Sequence, residues 1–163
     1  MIFKDIELFG RTKASLIRRL GPVDFESDLL NFDRTDYYRD EMGKDLKRKF
    51  LTFRRLRRAD GIHRLKLLSN SLERRSSASG KRIINIDPGY ITPAKLILLT
   101  TKDFAHRIYI KDGIYAEVTL SYKDKSYRSY EWTYPDYNNE YTIDFFNQAR
   151  SSYLETIKRN RND

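Results

Sequence analysis

Several residue types and segments are scarce or missing in this chain of 163 residues. It contains no cysteine, two histidines and no apolar run near the roughly 18 residues that a membrane span requires. The missing cysteines exclude disulfide bonds, cysteine-ligated zinc, iron–sulfur clusters and thiol catalysis, and two histidines are too few for a multi-histidine metal site. The first residues lack the pattern of a signal peptide, so none is expected. These absences predict a soluble, cytoplasmic protein that makes no contact with membranes.

The residues that are present indicate a folded α+β protein. Aromatic residues make up 13% of the chain and charged residues 34%, which is unlike the composition of disordered proteins. The length predicts a single domain over residues 1–163, large enough to bury roughly 70% of its unfolded surface. No linker, internal repeat or low-complexity tract divides the chain.

The net charge of +9 is concentrated in one stretch. Residues 44–75 contain 12 Lys and Arg against three acidic residues, whereas residues 24–41 contain seven acidic residues against two arginines. One interpretation is a basic face that meets phosphate groups. The other is that the acidic stretch folds against the basic stretch and partly neutralises it.

Apolar spacing and turn residues predict the order of helices and strands. The helices are predicted at 4–20, 60–77, 93–99 and 142–158, and the strands at 24–32, 46–56, 81–86, 106–110, 114–122 and 128–133. Asp60, Thr92 and Thr142 are the expected N-caps. The second helix should bury a stripe of leucines and leave His63 facing solvent, and the tail at 159–163 should fray.

The segment with the clearest sequence pattern is a predicted β-hairpin followed by a third strand. A three-residue loop at 111–113 with Gly113 left-handed pairs Ile108 with Ala116 and Arg107 with Glu117. This register gives one apolar face and one polar face, and the third strand extends it into a C-terminal β-meander. The predicted fold is therefore α+β, with a mixed or antiparallel sheet and this meander packed against helices.

Linked motifs along the chain resemble the prokaryotic domain of unknown function family DUF4416. The motifs are Asp36-Tyr37-Tyr38, Glu41-Met42-Gly43 with Lys47 and Arg48, Asn85-Ile86-Asp87-Pro88-Gly89-Tyr90, Lys102-Asp103, His106 to Tyr109, Gly113 to Leu120 and Trp132 to Tyr137. The resemblance covers about residues 21–153. Members are sometimes labelled GTP-binding, but this chain has neither a Walker glycine–lysine loop nor a guanine-reading motif.

The resemblance also implies an apolar strand ahead of the first helix. This chain begins at Met1-Ile2-Phe3, almost inside the predicted helix, which leaves two readings: the strand is missing, or the start codon is assigned too late. A missing strand would leave a sheet edge exposed, where a homodimer could form. With the strand restored, the order of elements resembles a ferredoxin-like unit with a meander added.

The motif-rich stretch 85–137 holds the residues that could form a site for a nucleotide or another phosphorylated ligand. The expected catalytic residues are His106, Glu117 and Asp87, and the expected ligand-binding residues are Tyr90, Lys102 and Arg107, together with Lys47 and Arg48. If their carboxylates converge, they could hold Mg²⁺. Four of these residues also have a structural reading: a turn at Asp87, a core-edge histidine at 106 and a cross-strand ion pair at 107 and 117.

Two alternative functions follow from other features. The stretch 47–58 interleaves Lys and Arg with Phe50 and Phe53, a pattern that suits single-stranded RNA because cations meet phosphates and rings stack on bases. Its structural reading is a pair of core phenylalanines beneath a solvated basic face. A structural or partner-binding protein is the third hypothesis.

Overall fold

The computed structural model describes residues 1–33, 35 and 37–162 and consists of helices and antiparallel strands. The predicted α+β class is confirmed. The chain divides into two compact units, Met1–Pro88 and Gly89–Asp163. Such a division arises within one domain as well as between two, so the assignment of a single domain remains a prediction. Asp36, which belongs to one of the resembling motifs, lies outside the described residues.

The first unit is built around a four-stranded antiparallel sheet. Its described elements are β1 (Ile2–Phe3), α1 (Ile6–Leu20), β2 (Val23–Glu26), β3 (Leu30–Asn31), α2 (Arg39–Met42), β4 (Lys47–Arg48), β5 (Leu51–Phe53), α3 (His63–Arg75) and β6 (Ile84–Asn85). The sheet order is β3-β4-β1-β6, and β2 pairs with β5 to continue the β3–β4 hairpin. With one long helix after the first strand and another before the last, this is the βαββαβ order of a ferredoxin-like unit.

The strand that the resemblance implies is present at Ile2–Phe3, so the reading in which it is missing does not hold. Ile2 and Phe3 pair with β4 on one side and β6 on the other, and both side chains are buried. Asp5 then caps α1 by accepting a hydrogen bond from the backbone N–H of Glu7, so the helix begins at Ile6. The expected open edge at this place does not exist, and homodimerisation is left as a prediction without that support.

Polar side chains line the buried side of α3. His63, Lys66, Ser69 and Glu73 are buried, whereas the leucines predicted to form the buried stripe are only partly covered, so the predicted solvent exposure of His63 is wrong. The cause is the backbone that follows β6. Lys66 Nζ donates to the carbonyl of Ile86 at 3.1 Å, and the backbone N–H of Ile86 donates to Glu73 at 2.6 Å. The polar helix face thus satisfies a backbone that would otherwise be an unpaired strand edge.

The second unit is an antiparallel sheet followed by a long helix. Its described elements are β7 (Gly89–Ile91), β8 (Lys95–Thr100), β9 (Ile108–Lys111), β10 (Ile114–Lys123), β11 (Ser126–Ser129) and α4 (Glu140–Asn162). The sheet order is β7-β8-β10-β11. Strand β9 pairs with the first residues of β10, 114–116, whereas β11 pairs with its last residues, 120–123. The helix predicted at 93–99 is wrong, because this segment is strand β8. Thr92 Oγ1 accepts from the backbone N–H groups of Ala94 and Lys95, and thereby closes the turn between β7 and β8.

The hairpin β9–β10 has the predicted register beyond its turn but a different turn. Asp112 and Gly113 both have positive φ, 53° and 73°, which is the two-residue turn that suits twisted hairpins. Lys111 therefore pairs with Ile114, and the extra residue Ile110 is accommodated as a bulge before Ile108 pairs with Ala116. The pairing of Ile108 with Ala116 is confirmed, and the three-residue loop is wrong.

The last two elements begin at other residues than predicted. β11 covers Ser126–Ser129 instead of 128–133, after a two-residue turn at Asp124 and Lys125. Helix α4 begins at Glu140 because Asn139, rather than Thr142, accepts the first-turn N–H group. The helix reaches Asn162, so most of the tail that was expected to fray is helical, and Asp163 lies outside the described residues. None of the described helices combines the length and the apolar character needed to cross a bilayer.

Candidate functional site

A buried ion pair lies at the centre of the second unit's polar cluster. Arg107 Nε donates to Glu117 Oε2 at 2.7 Å, and the two side chains are only 4% and 2% exposed. The guanidinium also donates to the carbonyl of Lys102 at 3.2 Å and to the hydroxyl of Tyr134 at 3.1 Å. The predicted pairing of Arg107 with Glu117 is confirmed. Arg107 thus ties the loop at Lys102 and the turn at Tyr134 to strand β10.

The pKa values of the two cations in this cluster move in opposite directions. Burial alone would lower the pKa of Arg107, but the hydrogen bond and charge of Glu117 outweigh it and raise that pKa. Burial, followed by the nearby charge of Arg107, lowers the pKa of Lys102. Lys102 therefore gives up its proton more readily than an ordinary surface lysine.

An aromatic column stands beside the ion pair. Tyr130 stacks on Trp132 at 4.6 Å between ring centroids and 4° between planes, and Trp132 stacks on the ring of His106 at 5.2 Å and 9°. Phe104 lies 6.1 Å from His106 in a tilted arrangement. His106 Nε2 is also 3.3 Å from Glu117 Oε2, so the buried carboxylate holds the imidazole edge and favours a proton on Nε2.

Two hydrogen bonds hold the turn that carries this column. Trp132 Nε1 donates to the carbonyl of Val118 at 2.9 Å, and Thr133 Oγ1 donates to the carbonyl of Thr119 at 2.6 Å. The sequence analysis included Tyr130 and Trp132 in the strand predicted at 128–133 and did not assign them to the site. A turn rich in aromatic residues leaves some of its rings exposed, and this could have indicated Tyr130 and Trp132. Assigning the segment to a strand concealed that indication.

Tyr90 lies away from this cluster within the second unit. In the sheet, Glu117 is opposite Leu98 and Leu98 is opposite Gly89, whereas Tyr90 is opposite Ile97. Because successive side chains of a strand point to opposite faces, Tyr90 is on the other face from Glu117. Burial raises the pKa of the Tyr90 hydroxyl. The structure therefore does not bring Tyr90 together with the other predicted residues of this unit.

The remaining predicted site residues belong to the first unit. Asp87 Oδ2 accepts from Asn85 Nδ2 at 2.7 Å, and Asp87 Oδ1 is 3.9 Å from Lys66 Nζ. Lys47 donates to the side chain of Asn31, and Arg48 is buried between aromatic rings. The catalytic roles assigned to His106, Glu117 and Asp87 remain predictions.

A second polar network surrounds Asp87 within the first unit. Arg82 donates to both carboxylate oxygens of Glu41 at 2.7 Å, and its third nitrogen donates to Asn85 Oδ1 at 2.9 Å. The hydrogen bond from Arg82 lowers the pKa of Glu41, whereas burial raises the pKa of Glu73. The network links α2, α3 and β6 and leaves each charge with an opposite partner.

Comparison with known proteins identifies the relatives of this chain. A family model described as domain of unknown function (DUF4416) matches residues 1–153. The chain belongs to this family. No curated protein and no solved structure matches it.

The described part of this DUF4416 protein contains no group of three or more His, Cys, Asp and Glu side chains that could hold a metal ion. Glu117 is bonded to Arg107, and Asp87 belongs to the network of the first unit. The expected convergence of carboxylates on Mg²⁺ therefore finds no support in these side chains.

The basic stretch of the DUF4416 protein resolves into two different parts. Phe50 is buried, and Arg48 packs over its ring with the guanidinium carbon 4.7 Å from the ring centroid. Lys49 bonds to Glu26. The first half of the stretch thus fits the structural reading at Phe50 but not at its cations, since Arg48 is buried and Lys49 is largely covered, and its phenylalanines are not displayed for bases. The four arginines at 54, 55, 57 and 58 are exposed.

Proposed function

We propose that the second unit of this DUF4416 protein binds a nucleotide, with the base stacked on the aromatic column and the phosphate held by Lys102. The observation that carries the proposal is the stack of Tyr130, Trp132 and His106. Tyr130 and Trp132 remain 37% and 38% exposed although they are packed face to face. Exposed stacked rings beside a cation are what a flat base joined to a phosphate requires.

Stacking supplies one part of the expected affinity. Base–aromatic stacking contributes about 1–3 kcal/mol per base. The column offers Phe104 at one end, which is 60% exposed, and Tyr130 at the other. A ligand that stacks at either end covers apolar surface that the folded chain leaves in water.

Arg107 and Glu117 position the site in this proposal and do not touch the ligand. Arg107 is 4% exposed, and its three nitrogens already donate to Glu117, Lys102 and Tyr134. Its contribution is to fix the backbone at Lys102, whose side chain is exposed. The ammonium of Lys102 is the cation that can reach a phosphate oxygen.

The single tryptophan of the chain allows a direct test. Because Trp132 is the centre of the column, its fluorescence should change saturably when purified protein is titrated with a binding nucleotide. The panel comprises the mono- and triphosphates of adenosine, guanosine, cytidine and uridine, each with and without Mg²⁺. Free N-acetyltryptophanamide corrects for absorption by the ligand, and a change that matches this correction for the whole panel would refute the proposal.

A matched pair of lysine variants tests the phosphate contact. Lys102→Gln should weaken the binding of the best nucleotide about tenfold, because a charge-assisted hydrogen bond is lost. Lys123→Gln removes the same charge from an exposed position at the end of β10 and should leave binding unchanged. Calorimetry of Trp132→Phe and Trp132→Ala completes the test, since only the alanine variant should lose stacking. Equal affinities for Lys102→Gln and Lys123→Gln would remove Lys102 from the site.

A further inference from the structure

The exposed half of the basic stretch forms a patch in the first unit, called here the arginine loop. It consists of Arg54, Arg55, Arg57 and Arg58. Three contacts fix it against the end of α1: Arg57 Nη2 donates to the carbonyl of Arg19 at 2.8 Å, the backbone N–H of Arg54 donates to the carbonyl of Pro22 at 3.0 Å, and Arg55 packs beside Gly21. Arg18 and Arg19 at the last turn of α1 add two more exposed cations next to the loop.

Two carboxylates of the acidic stretch at 24–41 have partners away from this patch. Glu26 pairs with Lys13 and Lys49, and Glu41 pairs with Arg82. The ion pair within the loop is between Arg58 and Asp60 at 2.8 Å, and both side chains are largely exposed, so it is worth little in water. Six arginines therefore lie around the end of α1, and the nearby carboxylates of Asp60 and of Asp24, which accepts from Thr52 Oγ1, are fewer than these cations.

The chemistry of the patch favours phosphate groups over stacked bases. Its cations are all arginines, whose planar guanidinium matches two phosphate oxygens. The nearby ring of Phe50 is buried and that of Phe53 is half-buried, so the loop has no ring displayed for a base. Leu56 is the exposed apolar residue of the loop, and the loop is not an amphipathic helix, which makes it a poor anchor for a lipid surface.

We infer that the arginine loop, with Arg18 and Arg19, is a docking surface for the phosphodiester backbone of a nucleic acid. Backbone contacts of this kind set the position of the partner and carry no base sequence information. The same chemistry occurs in single-stranded RNA, duplex RNA and duplex DNA, so all three should bind, with affinities that fall together as salt rises.

The test is fluorescence anisotropy with labelled 20-nucleotide partners of each kind between 50 and 300 mM NaCl. Replacing Arg54, Arg55, Arg57 and Arg58 by Gln should lower the slope of log affinity against log salt by about 3 units, since each phosphate contact contributes about 0.7–0.9. Affinity at 100 mM NaCl should fall at least about tenfold.

A second fourfold variant removes the same charge elsewhere. Lys95→Gln, Lys123→Gln, Lys125→Gln and Arg128→Gln all change exposed positions of the second unit, and this variant should keep the wild-type slope. An equal loss in both variants would mean that net charge alone attracts the nucleic acid, and the inference would be wrong. If the first variant is less stable in a thermal melt, Arg54→Gln with Arg55→Gln retains the Arg57 contact and should still lower the slope by about 1.5 units.

Two further arms separate this inference from other outcomes. Vesicles containing phosphatidylserine test a lipid surface: binding to vesicles without binding to nucleic acid would overturn the inference. Lys102→Gln should bind duplex RNA as the wild type does, because the arginine loop shares no residue with the proposed nucleotide site. The two proposals can therefore fail separately.

Discussion

Arg82 connects three parts of the first unit through its hydrogen bonds to Glu41 and Asn85 and its 3.8 Å ion pair with Glu73. The Glu41 bond is bidentate and about two-thirds shielded from water, so it contributes more than a typical surface pair. Because Arg82 lowers the pKa of Glu41 below its ordinary value of 4.5, the folded state favours the ionised form. The stabilisation is present above pH 4.5 and disappears as the pH falls through the lowered pKa.

Glu41→Gln should therefore lower the free energy of unfolding by about 1 kcal/mol at pH 7 and by less as the pH falls below 4.5. Urea unfolding of wild type and variant between pH 7 and pH 3 measures this difference. Glu131→Gln, at an exposed position, should change stability by less than about 0.5 kcal/mol at pH 7. A Glu41 difference that stays constant over the whole pH range would contradict the proposed ionic origin.

The pKa of Glu73 shifts in the opposite direction from that of Glu41, and Glu73 has a different role. Burial raises its pKa, so its ionisation costs stability as the pH rises from 4.5 through that pKa. Its structural role is to accept a hydrogen bond from the backbone N–H of Ile86. Glu73→Ala should cost about 1–3 kcal/mol by leaving that group unpaired, whereas Glu73→Gln keeps an acceptor and should cost less. Chemical denaturation ranks the two variants, and equal losses would refute the backbone role.

Single residues were predictable from sequence where a pairing rule applied to them. The register of the hairpin placed Arg107 opposite Glu117, and the structure has that ion pair. His63 was not predictable, because its burial depends on a helix that covers a strand edge with polar groups. The stack of His106 on Trp132 joins residues 26 positions apart, and no periodicity indicates it.

At the scale of elements, the junction of β7 and β8 depends on Gly89. A Cβ atom at this position would be 2.3 Å from the carbonyl oxygen of Ile97 and 2.9 Å from Leu98 Cδ2. The glycine is required because the two backbones approach closely. It belongs to the Asp87-Pro88-Gly89-Tyr90 motif, for which a turn was one of the two interpretations.

Gly89→Ala should destabilise the protein by about 1–3 kcal/mol, because the strands must separate to admit the methyl group. Gly10→Ala is the control with the opposite sign: a Cβ there meets nothing within 4 Å, and the site is inside α1. It should stabilise by about 0.5–1 kcal/mol. Urea unfolding of both variants measures these two changes in stability. A Gly89→Ala variant more stable than the wild type would show that the two backbones do not approach so closely.

Elements with strong local signals were predicted well, and buried strands were not. Helix α1 ends at Leu20, as the Gly21-Pro22 stop predicts. Strand β8 is covered on both faces, so its run of leucines has no alternation and reads equally well as a helix. The hairpin turn was misjudged because the bulge at Ile110 restores the favourable pairing after a two-residue turn.

At the scale of the whole molecule, the two units differ in charge. Residues 1–88 contain 21 Lys and Arg against 13 Asp and Glu, whereas residues 89–163 contain 11 against 10. The proposed nucleotide site lies in the nearly neutral unit and relies on rings. The arginine loop lies in the basic unit and relies on charge, so salt should affect the two ligands very differently.

The α+β class could be predicted from periodicity, whereas the ferredoxin-like order of the first unit could be predicted only with the family resemblance. Helix and strand periodicities gave the class, but they predicted no strand ahead of the helix at 4–20. A two-residue strand has too few positions for any periodicity to appear. Its place in the centre of the sheet depends on hydrogen bonds to residues more than 40 positions away.

The bulge at Ile110 also makes strand β9 a poor edge for pairing with strands of other copies of this chain. Strand β9 pairs with β10 alone among the described strands, and Ile108, Tyr109 and Ile110 face water. A flat edge with such side chains is a template for stacking further chains into aggregates. An extra residue bends the strand and interrupts its row of hydrogen-bonding groups. The bulge that restores the hairpin register thus makes this exposed apolar edge a poor starting point for fibril growth.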